Sequence, residues 1–316
     1  MRIDAGFGAG AVGGYFGGRL LQAGRDVTFL VRPRRAEQIR ENGFAVRMAD
    51  QRPAELAVGA IVSEQIEAPY DLVLVSCKAY DLENAMDGFA PAVGPETTIL
   101  PLLNGLRHLD LLSERFGASR VLGGQCLISA TLDERGHAVL LGPAATLTFG
   151  ELNGASSKRT DAIATTMQDA GFAAQASNTI LLDMWEKWVL LATFAGMTCL
   201  MRGAVGDIVA AGATGLTEAL LEECRQIAAS QDQMIRPDVL QRIRGLLSGA
   251  GSKATASMLR DVERGTRIEA DHVLGDLLHR QSESAVSSPS LLRIAYLHLK
   301  TYEAKRVREG SPSAGA

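Results

Sequence analysis

Short apolar runs separated by helical patterns fill the first half of the chain. The segments "DVTFLV" (26–31), "DLVLVSC" (71–77) and "TTILPLL" (97–103) show little period-two alternation. That predicts strands buried on both faces, as in a parallel sheet covered by helices. Between them, "VGGYFGGRLLQAG" reads as a helix closed by Gly24, "RRAEQIREN" as one closed by Gly43, and "DLENAMDGFAPAV" as a third. Beyond Gly117, "SRVLGGQCLISATL" and "AVLLGPAATLTFGE" read as strand-like pieces that extend or flank the sheet. From about residue 180 the period lengthens, and helices are expected over 180–201, 214–233, 237–248, 252–264, 267–283 and 288–306. The pattern therefore predicts a doubly wound α/β domain over 1–177 and an all-helical domain over 178–308. The residues 309–316, "EGSPSAGA", read as a disordered tail.

Composition adjusts this picture little. A chain of 316 residues suits about two domains, and 47% hydrophobic against 22% charged residues leaves ample material for two cores. A net charge of −4 argues against a nucleic-acid partner. Cys77, Cys126, Cys199 and Cys224 stand far apart with no metal-ligand spacing, so free thiols are expected rather than disulfides or zinc. The glycine-rich start does not resemble a secretory signal, and no run of about 18 uncharged apolar residues occurs. The expectation is a cytoplasmic protein with no membrane span. Apolar helices in the second domain are compatible with a homodimer.

Gly8-Ala9-Gly10-Ala11-Val12-Gly13 fits G-x-G-x-x-G between a first strand and a helix. In that setting Gly8 permits the tight turn, Gly10 lets backbone N–H groups approach a diphosphate, and Gly13 lets helix pack on strand. Asp4 and Gly6 interrupt a strand that ordinarily wants continuous aliphatics. The second strand runs into Arg32-Pro33-Arg34-Arg35 with no nearby carboxylate in the sequence to take a ribose 2′-hydroxyl. Arg32 is then placed for a 2′-phosphate, which favours NADP(H). Arg34 and Arg35 fall at a positive helix end, where cations are mildly unfavourable unless an anion binds. Lys78 and Asn104 each follow an apolar strand, on the rim where open α/β sheets bind ligands.

In the second half, "DMWEKWVLLATFAGMTC" sets Lys187 among tryptophans and aliphatics, with Leu191 and Ala195 at four-residue steps on one helix face. An ammonium there either reaches water along its stem, paired with Asp183, or acts chemically. "TRIE" after Gly265 reads as a capping box, with Thr266 as N-cap and Glu269 three residues on. Ser257 falls on an amphipathic segment.

Taken together, the ordered motifs "GAGAVGGYFGGRL", Arg32, "CKAYD", "NG" (104–105), "WEK" (185–187), "SML" (257–259), "EAD" (269–271) and "SSPSLLRIAYLHLK" resemble the ketopantoate reductase (2-dehydropantoate 2-reductase) family over nearly the whole chain. The resemblance implies an N-terminal Rossmann-type domain and a C-terminal helical domain, an arrangement like that of 6-phosphogluconate dehydrogenase. It also implies NADPH-dependent reduction of a 2-oxo acid to a 2-hydroxy acid, as from ketopantoate to pantoate in pantothenate biosynthesis. Lys187 then matches the general acid. Glu269 assists at the substrate beside the cofactor, Ser257 holds the substrate, and Lys78 and Asn104 line the cofactor–substrate crevice. Family members of known activity carry asparagines where this chain has Leu191 and Ala195, so a different, more apolar 2-oxo or β-hydroxy acid is the alternative. A non-catalytic NADP-binding protein is the other.

Overall fold

The computed structural model describes residues 1–4, 9–48, 55–281 and 290–310. The chain forms two compact units, Met1–Leu181 and Leu182–Ala316.

In the first unit, β1 (Arg2–Asp4), β2 (Asp26–Leu30), β4 (Gly59–Ile61), β5 (Leu72–Val75) and β6 (Thr98–Pro101) make one parallel sheet in the order β4-β2-β1-β5-β6. Strand order reverses at β1, which places the topological switch point between β1 and β5. The four residues of β5 are all buried, as are those of β6, which is why these runs carry no alternation. Helices α1 (Ala11–Gln22), α2 (Pro33–Asn42), α3 (Leu82–Phe89), α4 (Arg107–Phe116) and α5 (Lys158–Met167) complete the unit. The interruption expected at Asp4 is where β1 stops, after three residues; Gly6 lies outside the described residues.

The segments after Gly117 do not simply extend that sheet. They build two small sheets of their own: β10 (Thr146–Gly150) pairs with β7 (Gly123–Leu127) on one side and β11 (Ala173–Ala176) on the other, while β8 (Ala130–Leu132) and β9 (Ala138–Leu140) join β3 (Val46–Met48). The sheet containing β3 and β9 packs closely against α1. A Cβ at Gly18 would lie 2.2 Å from a Val46 methyl carbon and 3.1 Å from the Phe44 ring. The "GGYFGG" run thus serves a second contact, on the helix side away from Phe16 and Leu20, beyond the helix–strand packing read from Gly13.

The second unit is helical: α6 (Ile180–Met201, beginning two residues ahead of it), α7 (Val205–Ala210), α8 (Thr214–Ser230), α9 (Pro237–Leu247), α10 (Ser257–Glu263), α11 (Asp276–His279) and α12 (Leu291–Arg308). The span of α6 agrees with the apolar period. The 252–264 expectation shortens to α10, because residues 252–256 belong to no helix or strand and Ala256 is the extended N-cap. The 267–283 expectation resolves into a π-turn, Asp271–Gly275, followed by α11.

The capping box does not form. Thr266 instead closes the preceding helix: its N–H and its hydroxyl both donate to the Asp261 carbonyl, each at 3.0 Å. Gly265, at φ 70°, makes the left-handed step that ends α10. Residues 266–269 belong to no helix or strand, and Glu269 directly precedes the helical run that starts at 270.

Buried Trp188 on α6 donates its indole N–H to the Val273 carbonyl in the π-turn at 2.8 Å. Glu186, also on α6 and only 5% exposed, is held by Arg236: the backbone N–H donates at 3.0 Å and Nε at 2.8 Å. The same guanidinium reaches Asp183 at 2.5 Å. No helix among the described residues is long and apolar enough to cross a membrane.

Candidate functional site

Gly8 lies outside the described residues; Ala9 to Gly13 lie within them. Ala9 is buried, Gly10 is the extended N-cap of α1, and the first intrahelical bond runs from Gly14 N–H to Gly10 carbonyl at 2.8 Å. Gly10 brings no side-chain cap to this end, and the first turn holds no acidic residue. The amides of Ala11, Val12 and Gly13 are therefore free of intrahelical bonds and sit at the positive end of the helix. That donor set suits a dinucleotide diphosphate.

Arg35 lies in the first turn of α2, the helix end where the sequence puts it, and is partly buried there. Its Nε donates to the Ala9 carbonyl at 3.0 Å, one terminal nitrogen to the Gly136 carbonyl at 2.6 Å, and the other to Gln38 at 2.6 Å. Desolvation pulls its pKa below the usual arginine value, with Asp133 opposing. Because the Ala9–Gly10 peptide is trans and planar, drawing the Ala9 carbonyl toward Arg35 aims the Gly10 N–H the opposite way. Nothing in the sequence pattern indicated this role, since it depends on the turn between β8 and β9 arriving beside α2.

Arg32 is the N-cap of α2, with Pro33 at its first helical position. The sequence around Arg32 holds no carboxylate, but the fold brings one to it. A carboxylate does stand beside Arg32: Asp81, at 3.1 Å, supplied by the segment after β5. Lys78 opens the short 3-10 turn that ends at Asp81. The register pairs Val75 with Pro101. Lys78 and Asn104 each lie three residues beyond that pair, so both stand at the carboxyl end of the sheet. Each is partly buried.

On the second unit, Lys187 and Leu191 are partly buried on α6, and Ala195 is 5% exposed. Ser257 is the exposed first residue of α10. Glu269 is buried, and its carbonyl accepts the Val273 N–H at 2.9 Å. Since the Val273 carbonyl takes the Trp188 indole, the residue after Lys187 is bonded to the turn that fixes Glu269. A π-turn beginning two residues beyond a buried acid is the kind of irregularity that concentrates at functional sites, and the helical period gave no sign of it. Among the described residues no His, Cys, Asp and Glu group could hold a metal ion, and all four cysteines are free thiols.

Comparison with known proteins agrees with this architecture. Residues 6–154 match the family of ketopantoate reductase PanE/ApbA, and residues 179–302 match the C-terminal domain of that family. The chain is similar to an uncharacterized oxidoreductase, YkpB, of Bacillus subtilis, at 32% identity over 95% of this chain and 98% of the relative. It also resembles the crystal structure of a 2-dehydropantoate 2-reductase from Geobacter metallireducens. That match has a TM-score of 0.85 and 27% identity, and covers 95% of this chain and 99% of the other. The same fold occurs in a D-mandelate dehydrogenase solved with NADH and anilino(oxo)acetate, at a TM-score of 0.86 and 20% identity over 97% and 99% of the two chains. The matches over both units place the chain among oxidoreductases. The chain belongs to the ketopantoate reductase family.

Proposed function

We propose that the chain is a nicotinamide-dinucleotide-dependent reductase that converts a 2-oxo acid to a 2-hydroxy acid. The observation that carries this reading is the N-terminus of α1 at the carboxyl end of the sheet, with no side-chain cap from Gly10 and no acidic residue in its first turn, because such an end attracts a diphosphate. A dinucleotide bound there supplies the hydride. Arg32 takes a 2′-phosphate and favours NADP(H), while Lys78 and Asn104 border the ligand from the same end of the sheet.

As the ketone carbon is reduced, negative charge gathers on its oxygen and must be neutralised and protonated. Lys187 serves both needs, as a cation beside the oxygen and as the proton donor. Glu269 orients the substrate, and the Ser257 hydroxyl binds it. Within the family's reaction, the partly buried Leu191 and the buried Ala195 favour an acid with an apolar side chain over hydroxyl-bearing ketopantoate. A chain that turned over ketopantoate would act in pantothenate biosynthesis, in the cytoplasm.

The test is to follow NADPH absorbance against a panel of 2-oxo acids, with ketopantoate among them. Turnover is expected, fastest with apolar acids. Tight NADPH binding with no acid reduced would leave a binding protein, not a reductase. Arg32→Asp is expected to weaken NADPH by on the order of a hundredfold or more and NADH by only a few-fold, measured as dissociation constants. Equal weakening of both would remove Arg32 from the 2′-phosphate.

A further inference from the structure

The contact between Arg32 and Asp81 bears on cofactor choice. Strands β2 and β5 flank β1 in the sheet. Arg32 follows β2 and Asp81 follows β5, so their ion pair joins the segments beyond the two strands that flank β1, at the carboxyl end of the sheet. Both side chains are accessible to a ligand, at 36% and 21% exposure. In dinucleotide folds that accept an unphosphorylated ribose, a carboxylate from the end of the second strand takes the 2′-hydroxyl. In this chain that position is an arginine, and the carboxylate comes to it from the opposite side of β1.

We propose that Asp81 is a specificity-determining residue: its carboxylate accepts the 2′-hydroxyl of NADH and opposes the 2′-phosphate of NADPH, so that the protein binds both cofactors. This rests on the dinucleotide reading of the glycine motif. A 2′-phosphate on Arg32 would share one guanidinium with Asp81. Two anions separated by about 4–6 Å at a partly exposed site repel enough to change affinity on the order of tenfold. The hydroxyl meets no such repulsion and gains a charge-assisted hydrogen bond. A chain with Arg32 alone would discriminate strongly for NADPH; with Asp81 attached to it, discrimination is small.

The test is calorimetric titration of the full chain with NADPH and with NADH, for the wild type, Asp81→Asn and Asp81→Glu, with thermal melts confirming that each variant is folded. Wild type is expected to bind both. Asp81→Asn is expected to shift the ratio of the two dissociation constants about tenfold toward NADPH, by tightening NADPH and weakening NADH. Asp81→Glu, which keeps the charge, is expected to stay within about threefold of wild type. A ratio unchanged in Asp81→Asn, or shifted toward NADH, would overturn the role of Asp81 while leaving the dinucleotide reading intact; the second result would mean that Asp81 only holds Arg32 in place. Failure of the wild type to bind either cofactor would overturn both.

Discussion

Lys187→Ala is expected to lower kcat by roughly 10²- to 10⁴-fold, the usual contribution of a positioned acid, while the NADPH dissociation constant stays within about twofold of wild type. The two readouts separate because the residues proposed to hold the dinucleotide, from Ala9 to Gly13 with Arg32, belong to the first unit, and Lys187 belongs to the second. Charge on the ketone oxygen exists only as reduction proceeds, so losing the ammonium removes stabilisation of the transition state more than of the ground state. The local structure gives Lys187 a fixed base. Its neighbour Trp188 is fully buried and bonded to Val273, so the helix cannot rotate to swing the lysine elsewhere. Steady-state kinetics with the fastest acid of the panel, beside an NADPH titration, makes the measurement. A kcat within twofold of wild type would mean that the ammonium serves only the outer face of α6.

Arg236→Leu is expected to destabilise the second unit by about 2–3 kcal/mol. Glu186 is nearly inaccessible, and its carboxylate is held by the Arg236 guanidinium and backbone N–H. Removing the side chain leaves a buried anion with part of its solvation gone. Breaking such a pair costs about 3–5 kcal/mol when both partners are buried; Arg236 is 43% exposed, and water around it reduces the loss. Thermal melting should show a decrease of roughly 10 °C for a unit of this size. NADPH affinity of the folded protein should not change, because Glu186 and Asp183, which the guanidinium holds, both belong to the helical unit. A melting temperature within about 2 °C of wild type would show that Glu186 finds other partners.

Much of the fold could be read from the chain because the physics involved is local. A strand buried on both faces has no polar alternation, and β5 and β6 are such strands. A helix apolar on nearly every side must be enclosed, and α6 is enclosed over the span its period indicated. The glycine motif is likewise local, since the requirement for backbone N–H groups at a helix start is written in six consecutive residues. Strands β3 and β4, with three residues each, are too short to carry a period, and their existence depends on the partners they meet.

The candidate site divides along the same line. Lys78 and Asn104 could be paired from sequence because each follows an apolar strand, and the register sets them at equal distance beyond Val75 and Pro101. Asp81 beside Arg32, Arg35 beneath the Ala9 carbonyl, Arg236 on Glu186 and the π-turn at Asp271–Gly275 had no signature in the linear pattern. Each joins groups remote in sequence, and an ion pair or hydrogen bond needs only proximity and charge, which no spacing rule encodes. Backbone propensity and apolar periodicity thus set which segments are strands and helices and where a phosphate-binding turn falls. Packing alone decided which charges meet, because a partner's identity depends on which loops the folded sheet and helices bring to the same place.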